Sequence, residues 1–177
     1  MQLKPEVESV LRSIEEDNLK NGPYWIVGHE SGRMLQWLVR VLQPEVLVEV
    51  GTSVGYSAIW MATALEANGK GKIWTIESHS GRFEKAQANI AKAGMTLYIE
   101  QILGHAPEVF EDNIPDEVQM AFFDATKMET KSFFEAVFPR MKSGGMIVVD
   151  NVTTHRAGML LQFIEELYGR KDVEVLE

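Results

Sequence analysis

The apolar positions of this chain change period along its length. Behind Pro5, a residue suited to a first helical turn, Val7, Val10, Leu11 and Ile14 recur at helical spacing. Asn21-Gly22-Pro23 breaks that pattern, and Met34, Leu35, Leu38, Val39 and Leu42 mark a second amphipathic helix ending near Gln43-Pro44. From there the period shortens. Near-continuous apolar runs at 46–50, 72–77, 97–103, 118–124, 146–150 and 173–176 predict strands. Helical patterns fall between them at 57–67, 81–93, 129–142 and 156–169, with a shorter one near 106–112. Turn residues separate the runs: Asn68-Gly69, Gly94, Ile114-Pro115-Asp116 and Ser143-Gly144-Gly145. Strands this apolar, alternating with helices, predict a parallel sheet covered on both faces. The expected architecture is a doubly wound α/β sandwich. Two N-terminal helices (1–43) precede the α/β core (44–177).

Composition narrows the function classes. At 177 residues the chain is expected to form one domain with a substantial core. A formal net charge of −9 disfavours nonspecific binding to nucleic acid or an acidic membrane, without excluding a local basic patch around a specific RNA. There is no cysteine, which removes disulfides, thiolate metal sites and a cysteine nucleophile. No stretch approaches the roughly 20 apolar residues of a membrane span, and residues 1–6 lack a signal-like apolar region, so a cytoplasmic protein is expected.

Candidate chemistry begins where the first strand meets the next helix. Val46-Leu47-Val48-Glu49-Val50 runs into Gly51-Thr52-Ser53-Val54-Gly55, and Tyr56-Ser57 opens a helix. Such a strand–turn–helix forms a nucleotide-type site at the carboxyl edge of a parallel sheet. Gly51 and Gly55 are spaced G-x-x-x-G, wider than the G-x-G-x-x-G that admits a pyrophosphate, and no Lys-Ser/Thr pair follows to make a phosphate loop. The turn therefore suits a nucleoside without phosphates. Gly51 would allow close approach, Thr52, Ser53 and Ser57 could bond a charged amino-acid tail, and Glu49 could face its ammonium. Glu77 ends the second strand, where an acid can accept hydrogen bonds from both ribose hydroxyls. Gly104-His105-Ala106 follows the third strand, where an adenine ring would lie.

The fourth and fifth strands each end in oxygen ligands: Asp124, and Asp150 followed by Asn151. Neighbouring parallel strands bring such ends to one rim. Two carboxylates so close repel or share a proton, and a divalent cation such as Mg²⁺ relieves that. Lys127, three residues beyond Asp124, could take a proton from a substrate hydroxyl or orient its oxygen. Phe122-Phe123, Phe133-Phe134 and the helical set Leu160, Phe163, Ile164 and Leu167 read as core. Tyr24, Trp25 and His29 read as packing residues near a substrate mouth, and His155-Arg156 as candidates for substrate contact.

The stretch Glu49-Val50-Gly51-Thr52-Ser53-Val54-Gly55-Tyr56-Ser57 resembles, almost residue for residue, the first motif of the S-adenosylmethionine-dependent, metal-dependent O-methyltransferases of the catechol and caffeoyl-coenzyme A type. The resemblance runs from about Ser31 to the end. It implies a Rossmann-like class I methyltransferase domain over 1–177. It also implies that Gly51, Thr52, Ser53 and Ser57 border the methionine part of S-adenosylmethionine, Glu77 the ribose, and His105 and Ala106 the adenine. The family more often has an acidic or small polar residue where this chain has His105. Its metal ligands match Asp124, Asp150 and Asn151, and its catalytic lysine matches Lys127. Its sheet usually carries a seventh, antiparallel strand that these 177 residues do not supply; either the sequence is truncated, or the last strand pairs directly beside the fifth, which gives a sheet order 3-2-1-4-5-6 with an exposed edge that could pair with a second subunit. The acceptor implied is a small hydroxylated molecule such as a catechol. The rival readings are methylation of a hydroxylated RNA nucleoside, a nicotinamide-dependent oxidoreductase disfavoured by the glycine spacing, and a nonenzymatic cofactor-binding module.

Overall fold

A computed structural model describes residues 3–154 and 157–177. In chain order the elements are α1 (Pro5–Asn21), α2 (His29–Leu42), β1 (Val46–Val50), α3 (Tyr56–Asn68), β2 (Lys72–Glu77), α4 (Ser80–Lys92), β3 (Ile99–Leu103), α5 (Phe110–Asn113), β4 (Val118–Phe123), α6 (Thr130–Val137), β5 (Met141–Val149) and α7 (Gly158–Tyr168). All pairings are parallel and the sheet order is β3-β2-β1-β4-β5.

Strand alternation sorts the apolar side chains between two cores. Leu47, Ile73, Met120 and Phe122 point to one face, under α1 to α4; Val48, Val50, Ile76, Ala121 and Phe123 point to the other, under α5 to α7. Helix α3 has no polar face over Tyr56–Leu65, because it lies between the sheet and the two N-terminal helices and is buried all round. Gly32 lets α2 approach it: a methyl group there would sit 2.4 Å from the Trp60 ring. Helix α1 is pinned from α3 by the Tyr56 hydroxyl, which donates to Glu15.

Several boundaries differ from the sequence expectation. Helix α2 starts at His29, ahead of the apolar repeat that begins at Met34. The helical pattern over 129–142 is cut short: α6 stops at Val137, and Pro139 sits in a 3₁₀ turn, Phe138–Arg140. Strand β5 then begins five residues earlier than its apolar run. Val118 pairs with Met141 and Met120 with Met146, so Ser143-Gly144-Gly145 forms a bulge inside the strand rather than a turn before it. The expected sixth strand over 173–176 does not form. Val173 packs against the second core while Leu176 is 99% exposed, so this short segment buries too little to hold a place on the sheet edge.

Candidate active site at the carboxyl edge of the sheet

The chain order reverses between β1 and β4, and a cleft of about 760 Å³ opens there beyond the strand ends. That is where open α/β sheets bind ligands, and the volume lies within the roughly 300–1,000 Å³ of small-molecule sites. Its walls come from Tyr24-Trp25-Ile26, from Gly51 and Ser53, and from Glu77, Ser78 and Arg82. The loop Gly104-His105-Ala106, the run from Asp124 to Glu129, Phe133 and Asn151 complete them.

The turn after β1 is tied to β2: the N–H groups of Gly51 and Thr52 both donate to the Ile76 carbonyl, at 3.0 and 3.1 Å. Gly51 has φ +103°, and a methyl group on it would lie 2.3 Å from the Asp124 carbonyl oxygen, so only glycine lets β1 and β4 end this close together. Ser53 (φ 47°) donates its hydroxyl to the Tyr24 carbonyl at 2.6 Å, which fixes the N-terminal segment against the cleft. Gly55, at φ 87°, caps α3 below the wall.

Glu77 is buried to 4% exposure. It accepts from the Ser53 N–H at 2.8 Å and the His79 N–H at 2.9 Å, and from Arg82 Nη2 and Nε at 2.8 and 3.1 Å. Three of those four donors reach Oε1, which leaves Oε2 with capacity for a further donor from the cleft. Arg82 is one of the cleft residues that the sequence reading missed. Its signal was a guanidinium five positions after a strand-end acid, on the first turn of the next helix.

Glu49 lies elsewhere. It is completely buried on the α3 face, accepting from Ser57 at 2.6 Å and Thr75 at 2.5 Å, and Thr75 also bonds Thr52 at 2.5 Å. Burial pushes its carboxyl up to about 7; the two hydroxyls oppose that rise, and the charges of Asp124 and Glu77 add to it. Thus Gly51, Ser53, Glu77, His105, Ala106 and Asp124 line the cleft, while Glu49, Thr52, Gly55 and Ser57 form the layer beneath it.

At the opposite end Lys127 Nζ donates to Asp124 Oδ1 at 3.3 Å, with both side chains largely buried. Burial raises the Asp124 carboxyl above the usual range; Lys127 opposes this, and Asp150 pushes it further up. Asp150 accepts from the Asn151 amide, and its N–H reaches the Phe123 carbonyl at 3.0 Å, which seats the end of β5 beside β4. Two carboxylates and an amide oxygen at one rim are chemically suited to a hard divalent cation. Among the described residues no group of three histidine or acidic side chains is arranged so that it could hold a metal ion. His105 pairs with Glu108 at 2.7 Å and with Glu129 at 3.1 Å. Tyr24 and Trp25 do reach the cleft wall, whereas His29 packs against the edge of Trp60. His155 and Arg156 lie outside the described residues.

Residues 4–163 match the O-methyltransferase family. This chain belongs to that family. The match starts well upstream of Ser31, taking in both N-terminal helices. The catechol O-methyltransferase of Niastella koreensis is 33% identical over 129 residues, 71% of this chain and 58% of that protein. The caffeoyl-CoA O-methyltransferase of Populus kitakamiensis is 31% identical over 126 residues, 69% of this chain and 53% of that protein. The chain therefore spans little more than half the length of these relatives. Among solved structures, the O-methyltransferase TomG of Streptomyces achromogenes, in complex with SAM, aligns with a TM-score of 0.79 at 28% identity. That alignment covers 97% of this chain and 81% of TomG. Among the described residues no helix is long and apolar enough to cross a membrane.

Proposed function

We propose that this chain transfers a methyl group from S-adenosylmethionine to a hydroxyl of a small, catechol-like acceptor. The observation that carries the reading is one continuous cleft with a nucleoside end at Gly51, Ser53 and Glu77 and a chemical end at Asp124, Lys127 and Asn151. Glu77 Oε2 would take a ribose hydroxyl. The Gly51–Ser53 turn would border the amino-acid tail, and the Ala106 side of the next loop would border the adenine. Glu49, with Ser57, Thr75 and Thr52, supports the turn from below.

S-Adenosylmethionine supplies an electrophilic methyl group on a sulfonium. Asp124, Asp150 and Asn151 would hold a divalent cation, Mg²⁺ in the first instance, which lowers the pKa of a nearby acceptor hydroxyl. The chain's own part is positioning. Lys127 Nζ, held by Asp124, would orient the acceptor oxygen or receive the hydroxyl proton. Exposed Trp25 and Met128 flank the mouth and offer apolar surface to a planar acceptor.

Calorimetric titration with S-adenosylhomocysteine, with NAD as control, tests the cofactor; methyl transfer to catechol in Mg²⁺ and then in chelator tests the chemistry. Binding of S-adenosylhomocysteine alone, with chelator-sensitive turnover, is expected. Heat from NAD, or no binding of either ligand, overturns the reading.

A further inference from the structure

Strands β3 and β4 are three positions apart in the sheet, a span of roughly 14 Å at the usual strand spacing. The segments that follow them nevertheless meet. His105, two residues past β3, places Nε2 3.1 Å from a Glu129 carboxylate oxygen, and Glu129 ends the 3₁₀ turn Lys127–Glu129 after β4. The bridge crosses the sheet edge beyond the ends of β2 and β1, where the cleft lies, and both residues line that cleft. The other ring nitrogen, Nδ1, is 2.7 Å from Glu108 on the histidine's own loop. Only a protonated imidazole donates from both nitrogens, so a single proton completes both contacts.

We propose that His105 and Glu129 form a protonation-dependent clasp that closes the cleft over its nucleoside end and fixes the turn carrying Lys127. His105 is here a positioning residue. The clasp rests on the adenosyl ligand proposed above only for its effect on binding; the contact itself belongs to the free protein. Among the described residues, the charged groups facing the imidazole are Glu108 and Glu129. The other charged groups of the cleft among the described residues are taken up in two pairs, Glu77 with Arg82 and Asp124 with Lys127. Glu108 holds His105 above the ordinary histidine range; burial opposes this and Glu129 reinforces it. The sign follows: the clasp is complete below the ordinary imidazole range and is lost as pH rises through the raised value.

His105 is 47% exposed at its side chain, so solvent screens the pair and the expected effect is modest. Affinity for S-adenosylhomocysteine is expected to weaken about two- to fivefold between pH 6 and pH 8.5. The slope should flatten in His105→Asn and in Glu129→Gln. Independently of any ligand, an NMR titration of the imidazole resonances, with His105 assigned from the His105→Asn variant, should give a midpoint above that of a free histidine. Glu129→Gln should lower that midpoint. An unchanged midpoint in Glu129→Gln, or an unchanged binding slope in His105→Asn, overturns the clasp. If S-adenosylhomocysteine binds at no pH, the proposed function falls, and the imidazole titration still decides whether the clasp exists.

Discussion

Glu49→Gln gives the sharpest test of the buried layer under the cofactor turn. The wild-type carboxyl is completely enclosed between β1 and α3, and burial raises it from 4.5 to about 7. That rise corresponds to about 3 kcal/mol of preference for the neutral acid in the folded state. The unfolded chain ionises Glu49 near 4.5, while the folded chain keeps the proton until about 7. Stability is therefore undiminished below 4.5, falls by about 1.4 kcal/mol per pH unit between the two values, and is lower by a constant amount above them. Glutamine has the same shape and no charge. Its carbonyl can accept from Ser57, and its amide can donate to Thr75, whose hydroxyl can turn toward Thr52. Urea unfolding of both proteins from pH 4.5 to pH 8 measures the difference directly, since every other titrating group is shared. The variant should gain on the wild type across that range by about 3 kcal/mol. Parallel profiles would refute the reasoning. A uniform loss at every pH would mean that the two hydroxyl hydrogen bonds matter and the buried charge does not.

Gly51→Ala should destabilise by about 2–6 kcal/mol, combining strain at φ +103° with a methyl group 2.3 Å from the Asp124 carbonyl; an unchanged melting temperature would count against the close approach of β1 and β4. Lys127→Met is expected to lower kcat toward catechol by about 10²- to 10⁴-fold while leaving the Kd for S-adenosylhomocysteine within about twofold, and full turnover would remove Lys127 from the chemistry. Arg82→Ala leaves Glu77 its two backbone donors and removes the guanidinium, so cofactor affinity should fall about three- to tenfold with little loss of stability, read by calorimetry.

The apolar runs carried most of the fold because parallel strands buried on both faces leave an unambiguous mark on a sequence. The boundaries that moved lie where tertiary contacts outrank the local pattern. Helix α2 extends back to His29 because its first turn packs Gly32 onto Trp60, and a glycine adds nothing to an apolar period. The start of β5 was hidden by Ser143-Gly144-Gly145, which resembles a turn and is a bulge. At the edge, Val173 packs against the second core and Val175 is half-buried, but Leu176 is left in solvent, and apolar content alone counts all three alike.

Among the candidate site residues, position relative to the last paired residue of each strand separates those in the cleft from those beneath it. Glu77 is itself the last residue of β2, Asp124 follows Phe123 at the end of β4, and Asp150 follows Val149 at the end of β5. Glu49 stands one residue before the end of β1, still within the ladder opposite Thr75 and Phe122. A side chain inside the ladder must point to one face of the sheet, and here that face is covered by α3, so the carboxylate meets Ser57 and Thr75. The G-x-x-x-G motif directed attention to the neighbourhood without resolving this, because a motif records spacing along the chain and the ladder decides direction. Acids at or past the strand end reach the rim, and an acid one place earlier is committed to the core. The same rule accounts for Thr75 and Glu77, two positions apart on one strand: Thr75 bonds Glu49 inside the sheet, and Glu77 turns its carboxylate toward the Ser53 N–H and the cleft.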